Sequence, residues 1–193
     1  MASAEAVARY LLWLATHEPG EEPITHLRLQ KLLYYAQGWA IGSRGEALFA
    51  ASLEAWRHGP VVREVYSRFA EHDRDPIPAS EARDDDSLSG PDKRLLQWVW
   101  LSYGKFSASE LWRMTHREPP WVRAREGVPP DSGRKLPIDP QVVREFFTEQ
   151  QRDRCRRAGI DPDRWSAAME DVRAGRTAPL DEVIAELQRD LAH

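Results

Sequence analysis

Six histidines (His17, His26, His58, His72, His116 and His193) and one cysteine, Cys155, are the residues of this chain best suited to metal ligation or nucleophilic chemistry. Their spacing supports neither. No pair of histidines falls at HExxH or His-x-His spacing, and Cys155 has no second thiol or histidine at zinc-site distance. Arg154 and Arg156 flank Cys155 and would favour a thiolate, but no orienting base stands near it in sequence. Asp84, Asp85 and Asp86 lack the alternate-position oxygens and internal glycine of a calcium loop. A glycine-rich phosphate loop, a GxSxG elbow and a paired-carboxylate signature are all missing. His58 beside Gly59-Pro60 and His116 beside Thr115 stand at segment boundaries, where a histidine more often satisfies a backbone hydrogen bond than performs chemistry. The expectation is a non-enzyme without metal or cofactor, whose function lies in binding.

Charge narrows what it binds. With 27 basic against 31 acidic side chains, net −4, the chain lacks the positive field of a general nucleic-acid binder. Residues Ala79 to Asp92 carry Glu81, Asp84, Asp85, Asp86 and Asp92 against Arg83, so the net charge belongs to one turn-rich, solvated loop. The cluster Arg152, Arg154, Arg156, Arg157 is diluted by Asp153 and by acids downstream, so DNA contact is not expected except indirectly. The longest apolar runs, such as Leu11 to Ala15, are too short to span a bilayer, no leader pattern stands at the N-terminus, and a single cysteine forms no internal disulfide. A cytoplasmic protein without membrane partners is expected.

The elements that would carry a binding surface are helices. Ala6, Val7, Tyr10, Leu11 and Leu14 give Ser3 to His17 a helical period, stopped by Pro19-Gly20. Thr25 is the N-cap of a second helix, LRLQKLLYYAQGWAIG, whose broad apolar face of Leu29, Leu32, Leu33, Ala36, Trp39 and Ala40 predicts a central position. Leu48 to Ala50 and Leu53 to Trp56 can pair as a small hairpin about Ala51-Ser52. Pro60 suits the first position of a helix over VVREVYSRFAEH. After the acidic loop, Asp92 and Ser107 open two more helices, ended by Pro119-Pro120, and Asp139-Pro140 opens a further one with Val142, Val143, Phe146 and Phe147. The compact domain is expected to close near residue 150.

Residues 151–193 read as a linker and an amphipathic helical tail. Asp161-Pro162 opens a helix with Trp165, Ala168, Met169 and Val172 on one face, and after Pro179 a stripe of Leu180, Val183, Ile184, Leu187 and Leu191 follows. Neither helix has enough apolar residues for a core of its own, so the stripes either pack back on the domain or lie in a groove of another protein. The fold class is mainly α: a compact helical domain, residues 1–150, with a short β-hairpin, followed by the tail.

Three blocks resemble one family. Leu29-Gln30-Lys31-Leu32-Leu33-Tyr34-Tyr35-Ala36-Gln37-Gly38-Trp39, then Glu54-Ala55-Trp56-Arg57-His58-Gly59-Pro60-Val61-Val62 with Val65-Tyr66, then Leu111, Thr115-His116 and Pro120-Trp121, resemble the Panacea domain in order over residues 5 to 150. This is the SocA-like, phage-associated GepA-like antitoxin domain. The resemblance implies a mainly helical antitoxin of a bacterial toxin-antitoxin system that neutralises a cognate protein toxin by direct contact. The family's best-known member delivers its toxin to a protease, so an adaptor role with a protease as second partner is the alternative, as is an enzyme that reverses toxin action. The family-motif residues are Gln30, Lys31, Leu32, Tyr34, Trp56, His58, Gly59, Pro60, Val61, Tyr66, Thr115, His116 and Trp121. On physical grounds Lys31 is expected to snorkel, its ammonium solvated, Gly59-Pro60 to shape the approach to a helix, and the tryptophans to form core or groove walls.

A shorter resemblance covers Asp171 to Leu187, which is similar to the C-terminal segment of many type II antitoxins, where a helix lies across the toxin. It favours the partner-groove reading, in which the stripes' Trp165, Met169, Leu180, Val183, Ile184, Leu187 and Leu191 contact the partner.

Overall fold

A computed structural model describes residues 1–17 and 24–173 of the chain. The stripe from Leu180 to Leu191 lies outside the described residues. The fold is mainly helical, with a small sheet. Helix α2 (His26–Arg44) is its axis: nearly every residue from His26 to Ile41 is buried, polar ones included. Thr25 caps it as expected, accepting from the Arg28 amide, and Gly45 closes it at φ 72.

Around α2 pack α1 (Ala4–His17), α4 (Gly90–Tyr103), α5 (Ala108–Thr115) and, most extensively, α7 (Pro140–Arg157). The approach of α7 is close because Gly38 and Gly42 turn a bare backbone strip towards Phe147; a Cβ on Gly42 would fall 2.8 Å from Phe147 Cβ. Phe147 in turn stands edge-on to Tyr34 and Trp39. Helix α7 runs unbroken through position 150; Arg154 near its end lies over the rings of Trp98 (4.2 Å) and Trp39 (5.3 Å), and Cys155 is buried beside Gly42 of α2 and Met169. Burial also raises the Cys155 thiol pKa, the reverse of an activated nucleophile. Helix α8 (Pro162–Arg173) then folds back so that Trp165 and Met169 line a groove with Trp39, Trp98 and Arg154. Met169 is only 5% exposed and Trp165 is half-buried, so these two residues are already covered by the same chain.

The hairpin differs from expectation. Strand β1 (Leu53–Trp56) pairs antiparallel with β2 (Gly59–Val62), with Ala55 opposite Pro60, and β3 (Leu136–Pro137) joins β1 on its other side. The segment Leu48–Phe49, expected to pair with β1, is held by the buried amide of Gln37, which accepts from the Leu48 and Phe49 N–H groups and donates to the Phe49 carbonyl. Pro60 therefore sits in a strand, tolerable because β2 is an edge. Helix α3 (Arg63–Arg68) starts two residues later than expected, since the β-branched Val61-Val62 continues the strand. Pro119-Pro120, read as a stop, also opens the short helix α6 (Pro119–Ala124).

Candidate partner-binding cleft

The AWRHGPVV block is a turn held from outside. Three of its carbonyls each meet a side chain from a different part of the fold: Trp121 Nε1 of α6 donates to Trp56 O (2.9 Å), His116 Nε2 after α5 faces Arg57 O (3.1 Å), and Lys31 Nζ of α2 donates to Pro60 O (2.9 Å). Gly59 has φ 103, and a Cβ there would lie 2.6 Å from Lys31 Nζ and 3.2 Å from Thr115 Oγ1, so both the conformation and the space demand glycine. The second His116 nitrogen faces Trp112 O at 2.7 Å, and its ring stacks between Trp112 and Trp121 at 4.0 and 3.9 Å.

Lys31 departs from the snorkelling expectation. It is 0% exposed, and burial pushes its pKa down to about 7. One helical turn on, Tyr34 and Tyr35 donate to the two oxygens of Glu118 at 2.7 and 2.8 Å, and burial raises the pKa of that carboxyl. Leu32 is core. The residues Lys31, Leu32, Tyr34, Gly59, Pro60, Thr115, His116 and Trp121 thus come together as the frame that fixes the hairpin. Glu118 belongs to this frame, and no sequence pattern marks it.

The remaining motif residues, Gln30, Trp56, His58, Val61 and Tyr66, line a cleft of about 630 Å³ beside the hairpin, with Thr25, His26, Arg57, Asp73 and Arg74. Its wall is aromatic: Tyr66 lies 4.6 Å from Trp56 and 4.5 Å from His26. Its rim is basic, with Arg57 and Arg74 against Asp73. That field is felt by His58, whose pKa is lowered first by burial and then by Arg57, Lys31 and Arg74. Sequence reasoning did not single out His26 or Arg74; the i, i+4 spacing of His26 and Gln30 on α2 could have paired the first with the motif.

The cleft holds two polar atoms without partners. Gln30 Oε1 accepts from the Val62 N–H at 2.8 Å, which orients the amide and leaves Gln30 Nε2 buried and unbonded. His26 bonds the Val65 backbone, and its Nε2 is likewise buried and unbonded. His26 and Gln30 are 5% and 2% exposed. Elsewhere, Glu71, His72 and Glu81 come within metal-ligating distance of one another, but Glu81 is already bound to Arg9 at 2.7 Å and Arg68 at 3.1 Å. Among the described residues no helix is long and apolar enough to cross a membrane.

A family profile described as "Antitoxin SocA-like, Panacea domain" matches residues 29–122, the span from the first turn of α2 to α6, which contains the frame and the cleft residues named above other than Thr25 and His26. The curated protein Antitoxin SocA of Caulobacter vibrioides (strain NA1000 / CB15N) is 33% identical over 160 residues, covering 77% of this chain and 84% of the relative. No solved structure is significantly similar to this chain.

Proposed function

The chain belongs to the SocA-like Panacea antitoxin family, and from that membership we propose that it neutralises a protein toxin by binding it directly. The observation that carries this reading is the likeness to a curated antitoxin across most of both chains. The domain serves as scaffold, and the tail that follows it supplies a toxin-contacting arm. Because α8 is packed on the domain through Met169 and Trp165, the arm available to a toxin is the stripe of Leu180, Val183, Ile184, Leu187 and Leu191. In this reading the protein acts stoichiometrically, about one antitoxin per toxin.

Co-expression with its cognate toxin tests this. A chain ending at Arg173 retains every packed element described above, so it is expected to keep the melting temperature of the full chain and to lose most protection against the toxin. Full protection by that shortened chain would remove the arm's role. Rescue at strongly substoichiometric antitoxin would overturn sequestration itself, as would a toxin level that falls whenever the antitoxin is present, the mark of delivery to a protease.

A further inference from the structure

Two buried atoms with unmet hydrogen bonds on one helix face describe what would satisfy them. Because the Val62 N–H fixes the Gln30 amide, Gln30 Nε2 is a donor and needs an acceptor. His26 gives its Nδ1 proton to the Val65 backbone, which leaves Nε2 as a lone-pair acceptor that needs a donor. A donor and an acceptor at i, i+4 are neighbours on the helix surface, and their joint complement is an amide, which presents one N–H and one C=O. The neighbouring wall of Trp56 and Tyr66 suits a bulky apolar side chain, and the rim of Arg57 and Arg74 suits a carboxylate.

We propose that this cleft docks an extended segment of a partner protein, which places one amide group at His26 and Gln30, an apolar side chain against Trp56 and Tyr66, and an acidic residue at Arg57 and Arg74. In the free chain the Tyr66 ring lies against His26, and both Nε2 atoms are buried away from water. Tyr66 is 38% exposed, and its ring swings outward to admit the segment. The two atoms then have no water to lose, so an amide that reaches them gains nearly a full hydrogen bond at each. The inference takes from the proposed function only that the partner is a protein; it does not depend on the tail.

The test uses the full chain, panned against a phage-displayed library of random short peptides, with selected peptides synthesised for titration. The expected consensus pairs an acidic residue with a bulky apolar one, and binding shifts the Gln30 side-chain amide resonance. Gln30→Glu keeps the acceptor for Val62 N–H and removes the donor, and, titrated where its circular dichroism shows it folded, it should weaken the selected peptides about tenfold or more. Arg74→Glu, on the exposed rim, should weaken them severalfold and flatten their salt dependence. A library that yields no acidic–apolar consensus overturns the proposal, as does a consensus whose affinity both variants leave unchanged. A Gln30 resonance that moves with guanosine monophosphate and with none of the peptides also overturns it, in favour of a nucleotide pocket. Toxin protection assayed with the same variants separates the two readings: protection kept while peptide binding is lost leaves the antitoxin reading standing without the cleft as its toxin contact.

Discussion

At the scale of single residues, Lys31 is the group whose environment departs furthest from expectation. Its ammonium pKa lies at about 7 in the folded chain against 10.5 when solvated, so between those values the unfolded chain holds more protons. Stability must then rise with pH across that window and be lowest below it. Urea unfolding of the wild type should show a gain of ~2 kcal/mol between about pH 8 and 9.5, at up to ~1.4 kcal/mol per pH unit, and Lys31→Met should lack most of that gain. Equal slopes in the two proteins would mean that the amine is solvated. The sequence offers little warning of this burial, because a lysine just before Leu32 and Leu33 reads as an amphipathic side chain whose tip reaches water. What holds it inside is a carbonyl in another block, Pro60, and the coincidence of those two positions is tertiary. His116 is the opposite case: a histidine at a helix boundary was expected to bond backbone, and it faces two carbonyls.

At the scale of elements, the central helix was legible because its apolar face was too wide for a surface helix. The partner it packs on was not, since Gly38 and Gly42 look like helix weakeners in sequence and act as the contact strip for α7. Gly42→Ala, ordinarily a gain in helix propensity, should here cost about 1–3 kcal/mol, because the new methyl meets the Phe147 backbone, which cannot turn aside as a side chain can. Thermal unfolding measures it, and a variant as stable as wild type would show that α7 shifts freely. Of the hairpin only β1 was legible: its expected partner, Leu48 to Ala50, is not its strand, and the real one, Gly59–Val62, was read as the start of a helix. Leu48–Phe49 has strand-like composition, but it bridges Ala2 on one side and is held by the Gln37 amide on the other, pairings no local pattern announces.

At the scale of the whole molecule, the boundary expected at residue 150 falls inside α7. The run from Gln151 is polar, yet it packs: Arg154 lies over two tryptophans, since long basic side chains can lie flat on aromatic rings, and Cys155 is buried. A chain ending at Gln150 should therefore be destabilised by several kcal/mol, with Trp39 and Trp98 exposed, whereas a chain ending at Arg173 should not. Denaturant midpoints of the two truncations settle whether the domain ends at 150 or includes α8. The cleft and the α8 groove stand at opposite ends of α2, with Gln30 in one and Ser43 and Arg44 in the other.

The turn at Arg57-His58 has one more consequence, for how such a protein can change. A tight hairpin usually dictates its own two tip residues, because they must supply the backbone angles. Here the angle is supplied by Gly59, and the carbonyls are captured by Trp121, His116 and Lys31, all outside the loop. Side chains 57 and 58 are exposed and carry none of that work. The pair at the mouth of the cleft is thus open to replacement without refolding the domain, so a lineage can alter what the rim selects while leaving the scaffold untouched.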